Sequence, residues 1–173
     1  MSWIVVDWEA DGPYPPDYSG VCFGAVIVKD GLEETFYGKV KPISNIWVPE
    51  ALAVSGISRE EHLKFPEPSE TMKDFREWIK DKSKDKPIFA SDNVAFDWMF
   101  NHYYLLKYAG SDPFGFSGRR IGDLWCGMQK DARSPWKHLL RKTKHDHNPV
   151  NDAKGNAEAL LKMRDMGLKV KFE

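Results

Sequence analysis

Asp7 and Glu9 stand one residue apart where the apolar run Trp3-Ile4-Val5-Val6 gives way to acid. Side chains alternate faces along a β-strand, so a strand here points Trp3, Val5, Asp7 and Glu9 one way and Ile4, Val6 and Trp8 the other. The two carboxylates are then neighbours and repel by roughly 1 to 4 kcal/mol at a separation near 4 Å. A hard divalent cation such as Mg²⁺ offsets this, because one or two carboxylates hold it while water and phosphate oxygens fill its other positions. The plainer reading is a polar strand end running into the loop punctuation Gly12-Pro13.

Two further stretches carry chemistry-bearing residues. Asn93 and Phe96-Asp97 lie at the start of a helical segment, and His147 precedes Asp152 by five positions at the start of the last one. An acid in a first helical turn complements the helix dipole and needs no other purpose. His145 and His147 together could also hold a stray metal ion. No zinc framework accompanies them, since Cys22 and Cys126 are far apart and no third spaced histidine joins the pair.

The elements that position these residues follow from periodicity. After the acidic strand end comes a loop over 12–20 with three prolines and two tyrosines, Tyr14 and Tyr18. Residues 21–28 and 35–42 read as two strands joined through Lys29-Asp30-Gly31, which makes a three-stranded antiparallel meander. Residues 49–54 form a short helix with Pro49 in its first turn. Ser69 is expected to cap a helix reaching Lys80, with Met72, Phe75, Trp78 and Ile79 on its inner face. Residues 87–91 read as a strand leading into an aromatic helix over 94–108, where Asp97 and Asn101 sit one turn apart, either as a solvent-facing stripe or as a polar pair turned inward. A loop over 110–120, a short strand at 121–124, a helix from Leu124 to Asp131 and a basic amphipathic stretch over 136–144 precede the terminal helix. That helix packs Ala157, Leu160, Leu161 and Met163 on the core.

At 173 residues, 42% hydrophobic and 29% charged, the chain is expected to form a single domain over 1–173 with its own core. It carries no apolar run of membrane-spanning length, its first residues are not expected to act as a signal peptide, and its two cysteines suit a reducing, cytoplasmic setting. The net charge of −1 argues against an indiscriminate polyanion binder. Charge is uneven, however: eight Lys or Arg face two Asp between Arg119 and Lys144.

Alternating strands and helices that begin with a meander bring strand ends and helix starts to one edge. In that order, Asp7-Trp8-Glu9, then Asn93-Val94-Ala95-Phe96-Asp97, then His147-Asn148-Pro149-Val150-Asn151-Asp152 resemble the three motifs of the DEDDh 3′-to-5′ exonucleases, within the ribonuclease H-like group. Ser55-Gly56-Ile57-Ser58 resembles a turn found between the first two motifs. The spacing matches His147 rather than His145 to the family's histidine.

The resemblance implies an α/β fold, a mixed sheet of about five strands with the meander and parallel strands flanked by helices. It implies that Asp7, Glu9, Asp97 and Asp152 hold two Mg²⁺ or Mn²⁺ ions roughly 3.5 to 4 Å apart. His147 would be the general base, a task suited to an imidazole near neutral pH. The substrate would be the 3′ end of single-stranded RNA or DNA, released as nucleoside monophosphates, with no membrane partner and with a homodimer as one assembly such chains adopt. Trp8, Ala10, Gly12, Tyr14, Asn93 and Phe96 are expected to contact it, and Arg119 and Arg120, with Lys137, Arg141 and Lys142, to line its phosphates. Other readings are a binding module of the same fold without catalysis, or a polymerase proofreading subunit.

Overall fold

The computed structural model describes residues 1–172. Five strands form one sheet in the order β3-β2-β1-β4-β5, with β1 Trp3–Ala10, β2 Gly20–Ile27, β3 Thr35–Lys39, β4 Ile88–Ser91 and β5 Gly118–Arg120. The first three pair antiparallel, and β4 and β5 continue parallel to β1. This is the mixed ribonuclease H-like sheet expected from the sequence.

The helices are α1 Pro49–Val54, α2 Arg59–His62, α3 Pro68–Lys82, α4 Val94–Tyr104, α5 Ile121–Gln129, α6 Lys137–Leu140 and α7 Pro149–Asp165. Alternation along β1 divides the core. Ile4, Val6 and Trp8 pack with Phe75 of α3 and with Phe100 and Tyr104 of α4 on one face. Trp3 and Val5 pack with Trp125 of α5 and with Ala157 and Leu160 of α7 on the other. Each wholly buried side chain such as Phe75 or Leu160 contributes about 1.5 to 3 kcal/mol. Among the described residues, no helix is long and apolar enough to cross a membrane.

Several boundaries differ from expectation. Helix α3 starts one residue earlier with Pro68 in its first turn, so Ser69 lies inside the helix and Glu67 takes the N-cap position. The aromatic helix ends its α-helical run at Tyr104 and closes with a π-helical turn, Leu105–Ala109, before Gly110 at φ +78°. The strand expected over 121–124 is instead the short β5, and α5 already begins at Ile121. Only Lys137–Leu140 of the basic stretch is helical.

One glycine decides where α7 docks. Gly24 of β2 lies directly across from Asp7, and a Cβ there would stand 2.3 Å from the carbonyl of Pro149. The bare backbone at Gly24 therefore lets the start of α7 settle against the strand pair at the level of Asp7.

Candidate active site

Asp7 and Glu9 share a face of β1 with Trp3 and Val5, the face covered by α7. With the start of α7 seated on Gly24, Asp152 in its first turn meets them. One carboxylate oxygen from each of Asp7, Glu9 and Asp152 lies within 4.8 Å of the others. These are oxygen donors only, the set that suits a hard divalent cation.

Asp97 approaches from the opposite layer. Its Oδ1 accepts the main-chain N–H of Trp8, between the two strand acids, at 2.9 Å. One turn on, Asn101 Oδ1 accepts the Trp8 indole N–H at 3.4 Å. Both polar residues are buried, at 3% and 0% exposure, so the stripe through them faces inward and clips α4 to β1. Trp8 itself is stacked on Phe23 and buried. Its side chain packs in the core on the face opposite Asp7 and Glu9, and its main-chain N–H holds Asp97.

The acids are electrostatically frustrated. Burial first, and then the charges of Asp97, Glu9 and Asp152, push Asp7 well above the usual carboxylate range. Burial and the Asp152 charge raise Glu9 to about 7. Burial raises Asp97 to about 7 against the relief of the Trp8 hydrogen bond. A cation between them favours their charged forms. This agrees with the donor geometry, so the residues present fit bound divalent metal.

Histidines complete the rim. His147, in the left-handed region at φ +59°, donates its main-chain N–H to Asp152 Oδ2 at 3.0 Å and places Nδ1 3.7 Å from Glu9 Oε1. His145 places Nδ1 2.6 Å from Asp152 Oδ1. Both rings are about half exposed.

Arg141, expected along the phosphate track, reaches the basic cavity but has a buried side chain. That side chain is 6% exposed, and Nη2 sits 2.8 Å from Asp152 Oδ1. A Cβ at Gly155 would stand 2.3 Å from its Nε, so a glycine inside α7 provides the guanidinium's seat. Gly155 in a helix interior, where glycine costs about 1 kcal/mol relative to alanine, was the available signal.

Of the expected substrate contacts, Ala10, Gly12 and Phe96 line an open cavity of about 340 Å³ beside Glu9. Val48, Ala51 and Val54, from α1 and the residue before it, form its other wall and carried no motif. Asn93 is exposed at the start of α4. Tyr14 is exposed and hydrogen-bonded to Asp17 at 3.0 Å. Arg119 contacts Ser117, and Arg120 pairs with Asp123. A second cavity of about 340 Å³ is lined by Lys137, His138, Lys142 and Lys144 and reaches Arg141 and His145. The basic stretch thus borders the acids, while Arg119 and Arg120 lie outside that cavity.

No family model matches the chain. It is 30% identical over 183 residues to the 3′-5′ DNA exonuclease Cap18 of Escherichia coli, covering 99% of this chain and 96% of that protein. Among solved structures it resembles the nuclease domain of 3′hExo, a DEDDh family member bound to rAMP. There the TM-score is 0.78 at 17% identity, over 98% of this chain and 94% of that one. It also resembles the zinc ion bound form of the E. coli ExoI-ssDNA complex, with a TM-score of 0.72 at 17% identity, over 96% and 41%.

Proposed function

Because the chain belongs to the DEDDh family of 3′-to-5′ exonucleases within the ribonuclease H-like group, we propose that Asp7, Glu9, Asp97, His147 and Asp152 are its catalytic residues. The enzyme is a metal-dependent 3′-5′ exonuclease of single-stranded nucleic acid. The observation that carries the site assignment is the approach of Asp7, Glu9 and Asp152 within 4.8 Å, with Asp97 tied to the main chain between the first two.

The four carboxylates would hold two Mg²⁺ or Mn²⁺ ions. When bound, such ions lower the pKa of an attacking water and neutralise charge on the phosphodiester in the transition state. His147 takes that water's proton; with Nδ1 facing Glu9, Nε2 is the accepting atom. Its loop position leaves the ring free to reach the scissile phosphate.

The terminal base enters the cavity beside Glu9, between Phe96 and the α1 wall of Val48, Ala51 and Val54. Aromatic and apolar faces take any base without reading its edge, which suits an enzyme that shortens strands of varied sequence. Phosphates further along the strand pass the cavity of Lys137, Lys142 and Lys144.

We read single-stranded DNA as the substrate, on the strength of the relative that matches this chain nearly end to end. We read 1–173 as one exonuclease domain, supported by hydrophobic clusters flanking a single sheet, and its two free cysteines fit a cytoplasmic setting. The test is incubation of matched 5′-labelled DNA and RNA single strands with Mg²⁺ or Mn²⁺. A ladder shortening from the 3′ end of DNA in preference to RNA supports the assignment. RNA preference would overturn the sugar choice, and binding without shortening would favour a module without catalysis.

A further inference from the structure

Asp152 belongs to two groups of potential metal ligands. One is the oxygen-only set with Asp7 and Glu9; the other is His145, His147 and Asp152, whose ligand atoms also lie within 4.8 Å of one another. We propose that this second group is a zinc-class transition-metal site, and that an ion bound there shuts off hydrolysis by withdrawing Asp152 and His147 from the catalytic arrangement.

The donor chemistry separates the sites. Mg²⁺ is held through oxygen and gives up its water reluctantly, so it favours the strand carboxylates. Imidazole suits Zn²⁺, and two histidines with one carboxylate and a water form a recurrent tetrahedral set. The geometry already leans toward that set. His145 Nδ1 is 2.6 Å from Asp152 Oδ1, and the two imidazole centroids are 4.4 Å apart. His147 is held by its left-handed backbone and by its N–H bond to Asp152 Oδ2. A short loop with both rings half exposed can close the remaining distance, whereas Asp152 is fixed by the first turn of α7. Arg141, 2.8 Å from Asp152 Oδ1, acts as the outer partner that orients the carboxylate.

An ion held by His145, His147 and Asp152 engages the carboxylate and the imidazole that the catalytic arrangement uses. The inhibition rests on the catalytic reading proposed above; the site itself does not.

The full-length, metal-free protein is titrated with Co²⁺, whose visible absorption reports tetrahedral nitrogen and oxygen ligation, and then with Zn²⁺ to displace it. The wild type and Asp7→Asn are expected to show the tetrahedral spectrum, and His145→Ala to lose it or bind at least about tenfold more weakly. In parallel, Zn²⁺ is added to Mg²⁺-supported hydrolysis by the wild type and by His145→Ala, each referred to its own zinc-free rate. His145→Ala should need at least about tenfold more zinc for the same loss. The proposal is overturned if the wild type gives no tetrahedral spectrum, if His145→Ala keeps both spectrum and inhibition, or if Asp7→Asn abolishes the spectrum. Absence of Mg²⁺-supported hydrolysis in the wild type would overturn the catalytic reading instead, and the spectrum would still decide the site.

Discussion

The guanidinium of Arg141 lies 2.8 Å from the carboxylate of Asp152, and both side chains are almost wholly buried. The Arg141 charge also pulls the pKa of Asp7 down, against the upward push of burial and neighbouring acids. It is a cation built into a site crowded with carboxylates, and it keeps the metal-free fold from carrying their repulsion uncompensated. Arg141→Met should destabilise the metal-free protein by about 3 to 5 kcal/mol, because a buried carboxylate loses its partner. That corresponds to a fall in Tm of about 10 °C. Saturating Mg²⁺ should recover part of it, since ligand binding to the native state stabilises by mass action. Thermal unfolding with and without Mg²⁺ measures both effects; an unchanged Tm would show that the pair contributes nothing.

Gly24→Ala tests the seat of α7. The new Cβ meets the Pro149 carbonyl at 2.3 Å, so the first turn of α7 must move away from Asp7. A displacement of about 1 Å at a reacting centre costs on the order of a hundredfold in rate. Activity should fall by that order while circular dichroism shows a folded protein.

The pH dependence of stability follows from the raised acids. Glu9 and Asp97 titrate near 7 in the folded, metal-free protein, against ordinary values of 4.5 and 3.8. Between about pH 4 and pH 7 the native state binds more protons than the unfolded chain, so stability is highest at the acidic end and falls as pH rises through that window. Unfolding midpoints of the metal-free protein should decline across it. Asp97→Asn should flatten the decline, and Mg²⁺ should lift its neutral end, because metal and protons compete for the same oxygens.

His147→Asn should leave divalent metal bound, as judged by calorimetry, and slow single-turnover hydrolysis by about 10² to 10⁴-fold, the usual contribution of a general base. Loss of metal binding together with rate would instead make the imidazole a ligand.

Arg59→Met addresses the base cavity at a distance. Arg59 Nη1 lies 2.8 Å from the wholly buried Asp11, whose main-chain carbonyl accepts the Val48 N–H at the cavity wall. Burial holds the adjacent His62 down at about 4, so it is neutral near pH 7 and cannot replace the lost cation. The variant should lose about 3 kcal/mol of stability and raise KM more than it lowers kcat. Equal effects on both would place the change elsewhere.

Local pattern was enough to pair Asp7 with Glu9, because strand alternation acts over two residues, and to put Asp97 and Asp152 in first helical turns. The same alternation sent Trp8 into the core. Relationships that cross the fold left no such trace. The Trp8–Asp97 hydrogen bond joins residues 89 positions apart, and the Arg141 side chain reads as one more surface cation until α7 is in place. Spacing records the periodicity of a single element. Which layer covers which face, where Gly24 and Gly155 leave room for a neighbour, and which oxygens of Asp152 meet Arg141, His145 and His147 are set by packing between elements, and only the tertiary structure decided them.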